Sequence, residues 1–231
     1  MKLIKKFFSK NKKKTNLLIV IGSLDIGGTE RHLAEILPKF IDFNIYPSVY
    51  TLSHKGKFSK LLEEKGVPVR TVFGSSFFYL FPKFIRKFFI LIATFINLWI
   101  IINFKRPTII HFFLPTAYIL GTICCLLSLK VHKVMSRRSL NNYQSKYILF
   151  KNIELILQKN IDVILANSFA VKNNLIKEGF PKQKIKVIHN GINAHKWNNK
   201  NQKELIRKKM KLNNDCLVFV VVANLIPYKG H

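Results

Sequence analysis

Acidic residues are scarce in this chain: 11 Asp and Glu stand against 39 Lys and Arg, a formal +28 over 231 residues. Such a field has no use for a basic partner and calls for an anionic one, whether nucleic acid, anionic lipid or a phosphorylated substrate. A coding bias that loads Lys, Asn, Ile and Phe onto every surface is the competing explanation of the excess. Cysteine is almost absent. Cys124 and Cys125 are adjacent and Cys216 stands alone, so neither a disulfide framework nor a thiolate metal site has the spacing it needs, and the three read as buried thiols in a reducing cytosol. No metal is expected. A secretory leader is missing too: residues 1–14, MKLIKKFFSKNKKK, are basic enough for its first region, but the LLIVIG that follows is too short for the apolar one. Export is therefore not expected. No nucleic-acid-binding motif and no stacking pattern of aromatic and basic residues accompanies the charge, so nucleic acid is the weakest of the anionic partners.

What is present is a packed α/β interior. Hydrophobic residues make up 48% of the chain, which argues against disorder. Apolar runs at 17–22, 45–52, 67–73, 108–113, 131–136, 162–167 and 185–189 read as strands. They are run-like rather than alternating, as expected of strands covered on both faces in a parallel sheet. Helical patterns at 29–41, 57–65, 82–104, 116–129, 146–159 and 168–178 fall between them. Strand and helix taking turns implies a Rossmann-like, doubly wound parallel sheet with ligands at the carboxyl ends of its strands. Residues 1–14 form a basic extension and 15–190 this domain. Residues 191–214, rich in Asn and Lys with one short helix near 204–210, read as a linker, and 215–231 as the first strand (216–223) and loop of a second domain cut short.

The stretch 88–104, FFILIATFINLWIIINF, is the longest apolar run. It falls short of the ~20 residues a bilayer core requires and is interrupted by Thr94, Asn97 and Asn103. It reads as a helix of the α/β domain with a greasy outer face, flanked by Arg86, Lys87, Lys105 and Arg106 and suited to an anionic membrane surface. A membrane span is the alternative.

Candidate site residues collect at the ends of the strands. Gly27 and Gly28, in GSLDIGGTER, lie at a strand-to-helix junction where backbone N–H groups can approach a phosphate. A glycine turn that merely packs tightly is the other reading. The segment is not G-x-G-x-x-G, and no acidic residue closes the second strand, which weakens a dinucleotide reading. His111 ends the fourth strand and is placed either to orient a sugar hydroxyl or phosphate, or to serve structurally. Arg137 and Arg138 follow the fifth strand and suit bidentate phosphate contact unless they form a solvated basic loop. Asn167 and Ser168 read as a helix cap, and Asn190 and Gly191 as a turn ending the last strand. Lys229 stands beside Gly230 after the final apolar run.

In order, GGTERH, IIHFFLP, SRRSLNNY, ILANSFAVKNNLIKEGFPKQKIKVIHNGIN and VANLIPYKGH resemble the retaining glycosyltransferases of family 4, which have the GT-B fold, and the likeness runs from Leu17 to His231. The pairing of ANS and VIHNGIN with a later KGH is the specific part. The resemblance implies two Rossmann-like domains facing a cleft, the first binding the acceptor and the second a nucleotide sugar, UDP- or GDP-linked, without cofactor or metal. It implies that Gly27, Gly28, Arg137, Arg138, Asn190 and Gly191 line that cleft near the donor diphosphate or the acceptor, that Lys229 contacts the diphosphate, and that His111 is the candidate catalytic group. Two positions depart from the pattern: Phe113 stands where many members have a second histidine, and Asn224 where an arginine often precedes the KG lysine by five residues. The acidic motif that holds the donor sugar belongs to the second domain. The chain by itself is thus expected to be inactive, a fragment of an enzyme acting on a glycan or lipid-linked acceptor of the cell envelope from the inner face of the cytoplasmic membrane. A non-catalytic remnant that binds anionic lipid, or a basic nucleic-acid-binding protein, are the alternatives.

Overall fold

The computed structural model describes residues 14–72, 82–126, 131–139, 148–191, 200–213 and 215–222, apart from the side chains of 83, 84, 86, 87, 148–150 and 200–202. The chain divides into two compact units, Met1–Asn190 and Gly191–His231. In the first, seven strands form one sheet: β1 (Thr15–Ile21), β2 (Ile45–Thr51), β3 (Val69–Thr71), β4 (Ile109–Phe113), β5 (His132–Arg137), β6 (Val163–Ala166) and β7 (Ile185–Val187). Their spatial order is β3-β2-β1-β4-β5-β6-β7, every pair parallel. Among the described residues six α-helices connect them: α1 (Gly28–Phe40), α2 (Ser59–Glu64), α3 (Lys83–Lys105), α4 (Pro115–Leu126), α5 (Ile148–Leu157) and α6 (Phe169–Lys177). The expected Rossmann-like parallel sheet is what forms, with the order reversing between β1 and β4.

Strand alternation assigns the core to two faces. Leu17, Ile19, Ile21, Val49, Val69 and Phe113 point to one face, where Leu33 and Leu37 of α1 and Leu62 of α2 cover them. Leu18, Val20, Tyr50, Ile110, Phe112, Met135 and Ile164 point to the other, under residues from α3, α4, α5 and α6. Helix α4 lies so close that a Cβ on Gly121 would fall 2.1 Å from the Phe112 ring. Burial on both faces explains why these strands read as continuous apolar runs.

The apolar stretch 88–104 lies within α3, a crossover helix and the one described helix long and apolar enough to cross a membrane. Thr94, Leu98 and Ile102, four residues apart, are buried against the sheet, and Thr94 Oγ1 donates to the Leu52 carbonyl (3.5 Å). The opposite stripe, Ile85, Phe88, Ile92, Ile96, Ile100 and Phe104, is exposed. Buried beneath, the Cys124 and Cys125 thiols are each pushed up to about 12, by burial first. Cys216, expected buried, is exposed.

The second unit contains α7 (Lys200–Lys209). The strand expected over 216–223 is absent from its described part: 216–222 has no strand structure, and Leu217, Phe219 and Val222 are 81, 85 and 92% exposed. A strand needs a neighbour to pair with, and the described residues of this unit supply none. Residues 1–13, with most N-terminal lysines, and 223–231, with Asn224, Lys229 and Gly230, lie outside the described residues.

Candidate functional site

A parallel sheet brings the loops that follow its strands to one rim. There, between α1 and the ends of β4 to β7, lies a groove of about 170 Å³ whose polar lining residues are His32, His111, Ser136, Arg137, Arg138, Asn167, His189 and Asn190. The register explains the grouping. Phe113 pairs with Ser136 and Ser136 with Leu165, so these side chains share the α1 face, while α4, α5 and α6 pack on the other.

Arg138 is the centre of the groove. Its Nη2 donates to Asn190 Oδ1, its guanidinium carbon lies 5.9 Å from the centre of the Phe113 ring, and its own carbonyl accepts from Asn167 Nδ2 at 2.9 Å. Partial burial pushes its affinity for a proton down, and the negative charge of Glu30 on α1 pushes it back. The guanidinium stays charged in any case. Its field and burial act on the histidines: burial, then Arg138, lowers His32 below the usual range and takes His111 down to about 3. His111 is therefore neutral at neutral pH. Its Nε2 bonds with Ser136 Oγ at 2.7 Å, and its ring lies 4.3 Å from that of Phe113. Phe113, noted from the sequence as a departure at the place of a second histidine, makes this aromatic contact.

Helix α1 begins at the same rim without a side-chain cap at Gly27, leaving its first N–H groups without that partner. Gly27 has an extended backbone (φ −162°), and neither it nor Gly28 needs a left-handed conformation. What a side chain would meet differs: at Gly27 a Cβ would collide with the Glu30 carboxylate, which folds back over the helix start, whereas at Gly28 nothing lies within 4 Å. The helix start thus combines open space with an anion of its own nearby. The loop before it is fixed by the loop after β2. Asp25 Oδ2 accepts from Ser23 Oγ (3.0 Å) and bonds with His54 Nε2 (2.5 Å), contacts that hold its carboxyl below the usual range, Ser23 first. Gly56, at φ +81°, lies so close that a Cβ would fall 2.3 Å from the Leu24 carbonyl carbon, so only glycine fits there. Leu114, after β4, holds φ at +72°, a strained conformation for a bulky residue and one that accompanies functional loops.

Arg137 meets expectation only in part. It lines the groove at the rim as expected, but as the last residue of β5 it is turned by the alternation of the strand so that its guanidinium reaches the other face, and it is 5% exposed. There its Nη2 lies 3.4 Å from Glu154 Oε2 and 3.6 Å from Glu178 Oε2. These carboxylates are its ion-pair partners among the described residues. Of the other expected site residues, His111, Arg138 and Asn190 come together in the groove; Gly191 is exposed in the second unit, and Lys229 lies outside the described residues. Ser168 caps α6 by accepting from Val171 N (3.2 Å). Asn167 instead serves Arg138. His32 escaped the sequence reading, although its spacing of four from Ile36 and eight from Phe40, which line the same groove, put it on that face of α1. The Asp25–His54 pair escaped too, and only the in-register pairing of Ile21 with Thr51, which sets the two loops side by side, could have suggested it.

The model of Glycosyltransferase Family 4 matches residues 26–196. Among solved structures, HepE from Anabaena in complex with UDP is similar over 85% of this chain and 50% of its own, at TM-score 0.65 and 18% identity. A glycosyltransferase from Rickettsia africae is similar over 88% and 51%, at 0.61 and 14%. A putative UDP-N-acetylglucosamine 2-epimerase from Listeria monocytogenes shares the fold over 75% and 44%, at 0.52 and 12%. The chain thus spans about half the length of these structures. No curated protein matches. With more than half of the chain inside the family model, and the rim that model includes folded as a Rossmann-like sheet, the chain belongs to glycosyltransferase family 4.

Proposed function

We propose that this chain supplies the acceptor-side half of a retaining glycosyltransferase that moves a sugar from a UDP- or GDP-sugar to a glycan or lipid-linked acceptor of the cell envelope. The observation that carries this is Arg138, a cation held in a polar groove walled by α1, a helix that has no side-chain cap and whose first-turn Glu30 acts on Arg138 by its charge. In the reaction the leaving diphosphate gains negative charge, and a fixed guanidinium with helix N–H groups stabilises that charge without a metal. Glu30 acts on Arg138 only through its charge and forms no ion pair with it among the described residues, which leaves the guanidinium open to a more highly charged diphosphate. Neutral His111 suits holding a hydroxyl, since its imidazole both donates and accepts. Lys229 and the contacts to the donor sugar belong to the other half of the enzyme. Solved neighbours are described as complexes with UDP and with UDP-glucose, in line with a nucleotide-sugar donor here.

The apolar stripe of α3, ending in Lys105 and Arg106, favours work at the inner face of the cytoplasmic membrane as a peripheral protein, with the N-terminal lysines adding attraction. Carbonate or high salt then releases the chain from anionic vesicles; retention after both treatments indicates a span instead. The transfer reading is tested by assaying hydrolysis and transfer over a panel of nucleotide sugars with lipid-phosphate acceptors. Turnover is expected from a longer chain that continues through a second Rossmann-like domain and not from these 231 residues alone. Metal-independent turnover by the 231 residues themselves overturns the division of labour. Lipid binding with no turnover by the longer chain favours a membrane-binding remnant.

A further inference from the structure

The opposite edge of the sheet, where the strands begin, contains a larger cavity than the rim does. Its volume is about 320 Å³, and its walls include Leu18, Tyr46 and Ser48 at the start of β1 and β2, Ile101 of α3, and the charged residues Arg70 and Lys105. Register explains the wall. Leu18 pairs with Ser48 and Tyr50 with Arg70, so these side chains share the face on which α3 stands. At ~3.3 Å per residue, strands of this length separate the cavity from the rim groove by on the order of 20 Å. It is a separate place.

Its chemistry differs from that of the rim. The volume reaches the lower bound of small-molecule sites, about 300 Å³. The Ser48 hydroxyl, a polar group of the wall, already donates to the Leu17 carbonyl (3.4 Å), so it is a poor anchor for ordered water, which needs several free partners. Arg70 and Lys105 are exposed, and neither has an ion-pair partner among the described residues. Ile101 and Lys105 also adjoin the exposed stripe through Ile96, Ile100 and Phe104 on the same helix. A mostly apolar chamber with an unpartnered Tyr50 hydroxyl on its wall and two cations that have no ion-pair partner among the described residues, beside an apolar track, matches a molecule with one acyl chain and one polar anionic head.

We propose that this cavity binds a single-chain anionic amphiphile, its acyl chain between β1, β2 and α3 and its phosphate or carboxylate at Arg70 and Lys105. The site owes nothing to the sugar-transfer reaction, and its test requires neither nucleotide nor acceptor. Failure here therefore leaves the transferase reading intact.

The test is calorimetric titration of the full chain with lysophosphatidic acid below its micelle concentration, where adhesion to a bilayer plays no part. Palmitate, lysophosphatidylcholine and glycerol 3-phosphate are titrated in parallel. One-to-one binding of lysophosphatidic acid is expected, palmitate then deciding whether a carboxylate head also serves. Glycerol 3-phosphate, lacking the chain, is expected not to bind. Arg70→Ala and Lys105→Ala are each expected to weaken binding roughly fivefold, the effect of removing one cation near an anionic lipid head. Both side chains are exposed, so neither substitution threatens folding. Ile101→Trp, checked for folding by circular dichroism, is expected to fill the chamber and abolish binding. Failure of lysophosphatidic acid to bind, equal binding of lysophosphatidylcholine, or unchanged binding after both cation substitutions overturns the proposal.

Discussion

Arg137 and Arg138 are neighbours in the chain, yet they belong to opposite faces of the sheet and meet opposite conditions. On the face covered by α3 to α6, Arg137 is buried between Glu154 and Glu178, and the Tyr118 hydroxyl donates to the Glu154 carbonyl at 2.8 Å. On the α1 face, Arg138 lies in a groove among side chains able to bond a ligand. Helices on one face force each charge to find a protein partner, because a buried ion without one is too costly. Where α1 leaves a groove, a cation can be retained for something that comes from solution. The lesson is that a charge near a strand end becomes informative only when its face is known.

The largest expected effect separates the two arginines by stability. Arg137→Met leaves two carboxylates buried without their cation and is expected to cost about 3–5 kcal/mol in unfolding free energy. Arg138→Met leaves no such orphan and is expected to cost less than about 1 kcal/mol. Urea unfolding midpoints of both variants check this. Equal losses break the comparison, since they make Arg138 a structural residue as well.

The next effect is on turnover. In a chain that continues through a second domain, Arg138→Ala is expected to lower kcat by about 10²–10³-fold, as loss of a fixed donor to developing charge does in other sites. Ile96→Asn with Ile100→Asn, on the outer stripe of α3, is expected to leave transfer to a water-soluble acceptor unchanged while reducing vesicle binding. Loss of soluble transfer from the α3 variant, or a normal kcat from Arg138→Ala, removes the functional half of the comparison.

Two glycines extend it to backbone packing. Gly121 of α4 has the Phe112 ring where a Cβ would go, so Gly121→Ala is expected to cost about 1–3 kcal/mol through overpacking. Gly28, at the start of α1, has open space, and Gly28→Ala is expected to be neutral or stabilising by up to about 1 kcal/mol, since alanine is the better helix former. Thermal melts decide it. A destabilised Gly28→Ala supports a tight-turn role for that glycine.

All seven strands and the helices between them were legible because their apolar runs are long and separated by amphipathic segments, a pattern set by burial on both faces. The run at 216–222 has the same composition but no described strand, since hydrophobicity does not supply a pairing neighbour. For the candidate site, position along a strand was enough to group His111, Arg138 and Asn190 at one groove, because in a parallel sheet the C-terminal ends share one rim. Arg137 reaches the same rim, but the direction of its guanidinium was not legible. The strand was read as ending at Ser136 and runs one further, and in a pleated strand one residue decides the face. His54 and Asp25 meet through two loops, and no pattern within either loop reports the other.

The last expected effect is a dependence on pH that belongs to the groove face. His111 binds a proton at about 3 in the folded chain, against about 6.5 when unfolded, because burial first and the nearby Arg138 charge second oppose imidazolium. Above pH 6.5 neither state holds that proton, so the contribution to stability is complete. Below it the unfolded chain takes up a proton that the folded chain refuses, and stability is lost as pH falls from 6.5 toward 3. One unit into that window, at pH 5.5, the loss attributable to His111 is about 1.4 kcal/mol. His32, lowered in the same direction, adds to the slope in both wild type and variant. The quantity to measure is therefore the difference in unfolding free energy between wild type and His111→Gln at pH 7.5 and at pH 5.5. Wild type is expected to lose more on acidification than the variant, with the gap reopening on return to pH 7.5. A pH-independent difference shows that the folded protein takes up the proton at His111 after all. The groove then admits a second cation beside Arg138, which changes how it would meet a diphosphate.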